Sequence, residues 1–171
     1  MIVTLSPRRL QTLVRVAAFA AGTALCVAVA SPAAAIDTPP VAAGEQAGAT
    51  GPATSAADKW LKLLDAGRFD ESWSDAADVF REGVTRDEWV AQLGAIRTRV
   101  GRTLIRELKT ADFSSSVRGA PSGEYVTVIF LTQFEKAPPA LETVITTRAA
   151  DGNWHIAGYN IGAAPPPDPP R

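Results

Sequence analysis

Apolar residues recur at helical spacing through the first half of the folded part of the chain. Ala57, Trp60, Leu61 and Leu64 follow the i, i+3, i+4, i+7 pattern that gives a helix one buried face. The same spacing recurs twice more, and glycines or capping residues separate the repeats. The pattern therefore predicts three helices, at about residues 55–66, 70–82 and 85–101.

Beyond Gly101 the apolar pattern changes from helical to alternating, which is typical of strands. Four strands are predicted, at residues 103–117, 124–135, 141–148 and 154–161, with a tight Asp151-Gly152 hairpin before the last. The apolar phase slips by one residue within the first strand, between Leu108 and Ala111. A bulge near residues 109–111 would return these side chains to one face and would bend the sheet.

Helices followed by strands indicate an α+β domain. We expect three N-terminal helices packed on a curved four-stranded antiparallel sheet, in a cone-like αααββββ arrangement that spans residues 55–162. A cone of this kind has room for a cavity between its two layers.

The first 35 residues have the three parts of a secretory signal. Arg8, Arg9 and Arg15 precede an apolar run at residues 16–30, and small residues follow, with Ala33 and Ala35 at the positions that a signal peptidase reads. The pattern predicts cleavage after Ala35, a periplasmic or secreted protein and no transmembrane span after processing. The alternative is a retained anchor helix.

Two further segments have compositions unsuited to a core. Residues 36–54 are rich in Ala, Gly, Pro and Thr, and are predicted to be a disordered linker. Residues 163–171 contain five prolines and are predicted to be a disordered or polyproline tail.

Composition restricts the function classes. The net charge of −1 gives no argument for binding nucleic acid. The single cysteine, Cys26, lies within the predicted signal, so neither a disulfide nor a thiol is expected in the mature chain. One histidine without a cysteine is also a poor basis for a zinc site, and we predict neither a metal nor another cofactor.

Taken together, the motifs resemble the bacterial family called domain of unknown function 4019. The resemblance extends over about residues 56–161, and both the helices and the strands contribute to it. The matching residues are Trp60-Leu61, Leu64-Asp65, Ser72-Trp73, Phe80, Trp89, Gly101, Arg106, Pro121, Gly123, Tyr125, Phe134, Glu142-Thr143, Asp151-Gly152, Trp154 and Gly158-Tyr159. It implies an exported or envelope-associated protein without an assigned activity, similar in architecture to nuclear transport factor 2-like and cystatin-like proteins. Fold similarity does not give a function.

Basic residues cluster where the third predicted helix ends. Arg97, Arg99 and Arg102 are candidates for an anion site, but they also suit the negative end of the helix dipole on a solvated face. We favour the second interpretation.

The only histidine, His155, lies in the last predicted strand. Simple alternation places it with Tyr159 on one face, and Trp154 with Ile156 on the other. If the Trp154 face contacts the helices, His155 lies on the outer face. We therefore interpret it as a structural or solvent-facing residue rather than as an acid or base.

Glu142 shares its parity with Val144 and is predicted to point inward. In a pocket, a buried carboxylate at Glu142, or at Asp112, would act as a base with Tyr159 as the oxyanion donor. That arrangement would suit a small isomerase- or dehydratase-like enzyme.

The favoured alternative to an enzyme is a non-catalytic domain that binds a small molecule or an envelope protein, because no catalytic motif is present. The candidate ligand-binding residues are Trp73, Trp89, Tyr125, Glu142 and Tyr159. The identity of the ligand and the oligomeric state stay open.

Overall fold

A computed structural model describes residues 43–165. Within this range lie four helices, α1 (Ala43–Asp65), α2 (Phe69–Ser74), α3 (Asp78–Gly83) and α4 (Arg86–Val100). Four strands follow, β1 (Thr103–Ser114), β2 (Tyr125–Phe134), β3 (Ala140–Arg148) and β4 (Trp154–Ala163). The strands form one open antiparallel sheet in the order β1-β2-β3-β4. The predicted α+β fold class is therefore confirmed.

Helix α1 begins well before the predicted start at Ser55. The predicted linker is wrong from Ala43 onwards, because that part of the chain is helical. Alanine content explains the difference: Ala53, which lies inside the predicted linker, is fully buried in the core, and Ala49 packs against the core's edge. Small side chains let this part of α1 approach the sheet closely. The remainder of the predicted linker lies outside the described residues, as does the signal and most of the proline-rich tail.

The second predicted helix is two helices. Residues 75–77 interrupt it, and the extended residue Ala77 donates its backbone N–H to the carbonyl of Ile156 in β4 at 2.9 Å. This bond covers part of an edge strand that would otherwise be open. The apolar spacing continues across the break, since Trp73 and Phe80 both contact the core.

Helix α4 has the predicted start. Thr85 and Glu88 form a capping box, and Gly101 ends the helix with a φ of 76°. Trp89, Leu93 and Ile96 are its buried residues.

Three register shifts shape the sheet. The shift between Leu108 and Thr110 confirms the predicted bulge in β1, and a second shift lies between Thr103 and Ile105. β1 is an edge strand, and Leu104, Ile105 and Leu108 on it remain 50–54% exposed.

The third shift, in β4, was not predicted. Thr146 pairs with Ile156 but Ile145 pairs with Gly158, so one extra residue lies between them. The bulge places Tyr159 on the same face as Ile156, because paired positions on neighbouring strands share a face. The predicted parity of β4, with Tyr159 on the outer face beside His155, is wrong for this reason.

An aromatic cluster fills the space between the helices and the sheet. The Trp60 ring packs against those of Trp89 and Tyr159, with centroids 5.7 and 5.5 Å away, and Phe80 packs edge-on against Trp89. The indole of Trp60 donates to the carbonyl of Ser72, and that of Trp89 to the Ser72 hydroxyl. Each buried indole N–H thus has an acceptor, which burial of a polar group requires.

Candidate functional site

Glu142 is the buried carboxylate that the sequence predicted. Its side chain is fully buried in the middle of the sheet. Arg106 donates from Nε to Oε2 at 2.8 Å, Thr132 donates to the same oxygen, and Tyr159 donates its hydroxyl to Oε1 at 2.6 Å. The donors come from three different strands, and both carboxylate oxygens are occupied.

A second carboxylate completes the pairing of Arg106. Asp65, the last residue of α1, accepts hydrogen bonds from Nη1 of Arg106 at 2.6 Å and from Nη2 at 3.0 Å. Arg106 is only 10% exposed, and it bridges Asp65 to Glu142. We call Asp65, Arg97, Thr103, Arg106, Thr132, Glu142 and Tyr159 the buried polar network; Asp65, with 28% of its side chain exposed, lies at its edge.

Arg97 is the second cation of the network. Its Nη2 lies 3.2 Å from Asp65 Oδ1 and 3.7 Å from Glu142 Oε1, while Nη1 donates to Thr103 at 3.0 Å. The guanidinium also lies over the Phe134 ring, 5.4 Å from the centroid. The interpretation of Arg97 as part of a solvated basic cluster is wrong, because its side chain is only 12% exposed.

The opposite charges in this network, together with burial, shift the pKa values of Asp65, Arg106 and Tyr159. Burial opposes ionisation of Asp65, but hydrogen bonds and charge from Arg106 outweigh it and hold the pKa of Asp65 below its usual value. Burial of Arg106 is likewise outweighed by its two carboxylate partners, so its pKa is raised. Burial and the neighbouring Glu142 charge hold the pKa of Tyr159 well above its usual value.

The geometry does not suit proton transfer to a substrate. A general base must lie within hydrogen-bonding reach of the proton that it abstracts from the substrate. Glu142 is fully buried and accepts from Arg106, Thr132 and Tyr159, and the Tyr159 hydroxyl itself donates to Glu142. Asp112, the other candidate base, is exposed and pairs with Thr127 on β2. The network joins secondary-structure elements rather than presenting reactive groups.

Of the five candidate ligand-binding residues, the structure brings three together. Glu142 bonds to Tyr159, and the Tyr159 ring lies 6.0 Å from that of Trp89. Trp73 donates its indole N–H to the Val84 carbonyl, and Tyr125 donates its hydroxyl to Pro121. These two hydrogen bonds tie Trp73 and Tyr125 to backbone carbonyls outside the network. Ala35, the predicted cleavage site, lies outside the described residues.

A groove opens at the other end of β4. It has a volume of about 620 Å³ and lies between α1 and the hairpin that joins β3 to β4. Trp154, His155 and Arg148 line it on the sheet side, and Ser55 and Lys59 on the helix side. His155 Nδ1 lies 3.1 Å from the Asp75 carbonyl and Nε2 lies 3.8 Å from Asp151. The sequence did not predict this groove, because part of its helix side, formed by Gly48, Ala49 and Pro52, comes from the part of α1 that was interpreted as a linker.

Within residues 43–165 no cluster of three potential metal-ligating side chains is present. In the same part of the chain, no helix combines the length and apolarity needed to cross a bilayer.

A family model described as "Protein of unknown function (DUF4019)" matches residues 56–159. The chain belongs to the DUF4019 family. The predicted resemblance is confirmed, and the match covers both layers of the fold, including Glu142, Tyr159 and the groove-lining Trp154. No curated protein matches the chain in sequence.

Two solved structures are similar to this DUF4019 chain in fold. A protein from Catenulispora acidiphila has 16% sequence identity and a TM-score of 0.49, with 69% of this chain and 93% of that chain covered. ActVI-ORFA from Streptomyces coelicolor has 16% identity and a TM-score of 0.46, with 67% and 94% covered.

Removing the Glu142 charge should destabilise the fold. In Glu142→Gln, Arg106 and Arg97 lose a buried counter-charge, and we expect the free energy of unfolding to fall by about 3–5 kcal/mol. Urea denaturation measures this free energy of unfolding. Glu107→Gln is the matched control, since Glu107 is an exposed carboxylate on β1, and it should change stability by less than about 0.5 kcal/mol. Equal effects of the two substitutions would contradict a structural role for Glu142.

The hydroxyl of Tyr159 should ionise at a higher pH than that of an ordinary tyrosine. The chain has two tyrosines, so the phenolate absorbance of wild type minus that of Tyr159→Phe reports Tyr159 alone. In the folded protein its midpoint should lie above the usual value of about 10, and in guanidinium it should return to about 10. The neutral phenol therefore stabilises the fold below about pH 10, and this stabilisation is lost as the pH rises through the folded-state pKa. A folded-state midpoint at the usual value would show that the hydroxyl is not buried beside an ionised Glu142.

Proposed function

We propose that the chain is an exported, non-catalytic binding domain whose ligand occupies the groove between α1 and the β3–β4 hairpin. The observation that carries the proposal is the groove itself. Its volume of about 620 Å³ is in the range of small-molecule sites, and it combines an aromatic side chain, Trp154, with charged groups.

The contrast between the groove and the buried polar network supports binding over catalysis. The groove contains partly exposed groups, among them His155 with 31% of its side chain exposed. In the network, by comparison, Glu142 and Tyr159 already satisfy one another. An acid/base reaction at Glu142 would require the protein to break two or more of these bonds first, at a cost of about 1–3 kcal/mol for each buried group left unsatisfied.

Export is the second part of the proposal, and it rests on the sequence. A basic start, the apolar run at residues 16–30 and the small residues before Ile36 favour a cleaved signal. In that case the domain would bind its ligand in the periplasm or outside the cell, and either a small molecule or a segment of an envelope protein would be available there.

Blocking the groove should abolish ligand binding. We would screen small organic acids, amines and short peptides for compounds that raise the melting temperature, since a ligand at 100 times its Kd stabilises by about 2.7 kcal/mol. Ser55 is exposed and lines the groove, so Ser55→Trp should remove the effect. Arg99→Trp, at an exposed position on α4, is the control and should keep it. Compounds that stabilise wild type and Ser55→Trp equally would place binding elsewhere.

The export prediction is checked by intact mass. Protein recovered from the periplasm or medium of a bacterial host should begin at Ile36. An Ala33→Asp, Ala35→Asp variant should accumulate uncleaved, because charged residues are not accepted where the peptidase requires small ones. A recovered chain that still begins at Met1 would contradict the cleaved signal.

A further inference from the structure

The groove continues along α1 into a second depression. This depression has a volume of about 510 Å³, and Leu63, Glu71 and Ser74 contribute to its lining. Lys59 and Asp75 line both depressions. The two depressions therefore adjoin at these residues, and we call them together the extended groove.

The length of the extended groove suits an elongated ligand. Its helix side runs from Ala49 to Leu63, which at 1.5 Å per residue is about 20 Å. An extended peptide rises about 3.3 Å per residue, so about six residues would span it. A compact ligand would fill one depression and leave the other to solvent.

Where the two depressions adjoin, Lys59 and Asp75 provide one unpaired charge of each sign. Elsewhere in the extended groove the charges are paired, Arg148 with Glu124 and Glu71 with Arg68. The Lys59 ammonium and the Asp75 carboxylate, by contrast, form no ion pair within the described part of the chain. Both residues are exposed. A ligand that carries both an acidic and a basic group would complement them.

The sheet side of the groove offers peptide hydrogen bonds. Ala149 donates to the Asn153 carbonyl, and backbone groups alternate in direction along a strand. The N–H and C=O groups of Trp154 and Ile156 therefore point away from β3. The Ile156 carbonyl already accepts a hydrogen bond from the Ala77 N–H. Trp154 lines the groove, where its backbone groups are placed to pair with the main chain of a bound peptide.

From these observations we propose that the extended groove binds an extended segment of a partner polypeptide, about six residues long, that carries one acidic and one basic side chain. Lys59 pairs with the acidic residue, Asp75 pairs with the basic residue, and the Trp154 backbone pairs with the main chain. This inference rests on the proposed function and specifies the class of ligand.

The test uses synthetic probes. Acetylated and amidated hexapeptides, with one Asp and one Lys at varied spacing among alanines, are compared with the capped Asp-Lys dipeptide by calorimetric titration. We expect the best hexapeptide to bind at least about ten-fold more tightly than the dipeptide, which corresponds to about 1.4 kcal/mol. Its affinity should also fall in high salt.

Charge variants test the pairing. Lys59→Ala should weaken the best hexapeptide about two- to five-fold, the range expected for an exposed ion pair. It should have no effect on a hexapeptide with Asn in place of Asp. Lys109→Ala, on β1 and outside the groove, is the matched control. In Lys59→Glu, Asp75→Lys, the preference should change to hexapeptides with the reverse order of charges.

The outcomes separate this inference from the proposed function. Hexapeptides no tighter than the dipeptide, or equal affinities for wild type and Lys59→Ala, would overturn the peptide inference. If a compact compound still stabilised wild type but not Ser55→Trp, the proposed function would stand without it. If neither the peptides nor any screened compound bound, both the peptide inference and the proposed function would be contradicted.

Discussion

The pairing of Arg106 with Glu142 is the interaction on which the rest of the structure depends. A carboxylate fully removed from water costs several kcal/mol unless it is paired and hydrogen-bonded. Here its partners come from β1, β2 and β4, while Arg106 and Arg97 extend the pairing to Asp65 at the end of α1 and to α4. Each of the four strands and two of the helices must therefore be in place before the Glu142 carboxylate and the two arginines have all these partners. Such a network specifies one arrangement of the two layers more than it adds stability.

This role explains why the most polar buried site of the domain is a poor candidate for chemistry. Groups that must stay fully bonded to hold the layers together are not free to exchange protons with a substrate. The exposed charges and the aromatic side chain lie instead at the far end of β4, where α1 forms one wall and the β3–β4 hairpin the other. The domain thus separates a buried, ion-paired interior from an exposed groove, and under the proposed function the ligand-binding groups would lie on a stable scaffold.

The local pattern of apolar and polar residues predicted much of the fold. It was insufficient where a side chain is stabilised by residues far away along the chain. The phase slip in β1 revealed its bulge, and the parity of Glu142 with Val144 placed the carboxylate inward. The β4 bulge was missed because Gly158 has no side chain to show a change of phase. The helical start of α1 was missed because Ala and Gly fit a linker as well as a tightly packed helix, and only burial of residues such as Ala53 distinguishes the two. Tyr159 was expected beside Glu142, but the partners Thr132, Arg106 and Arg97 were missed because they lie 10 to 45 residues away along the chain.

The bulges of β1 have a consequence for crowded conditions. An edge strand of twelve residues with three half-exposed aliphatic side chains would ordinarily invite strands of other molecules to join the sheet. The two shifts divide the strand into two short regular stretches, residues 105–108 and 110–114, and Arg106, in the first of them, turns its charge inward. Bulges and an inward-pointing charge both disfavour pairing with a strand of another molecule along such an edge.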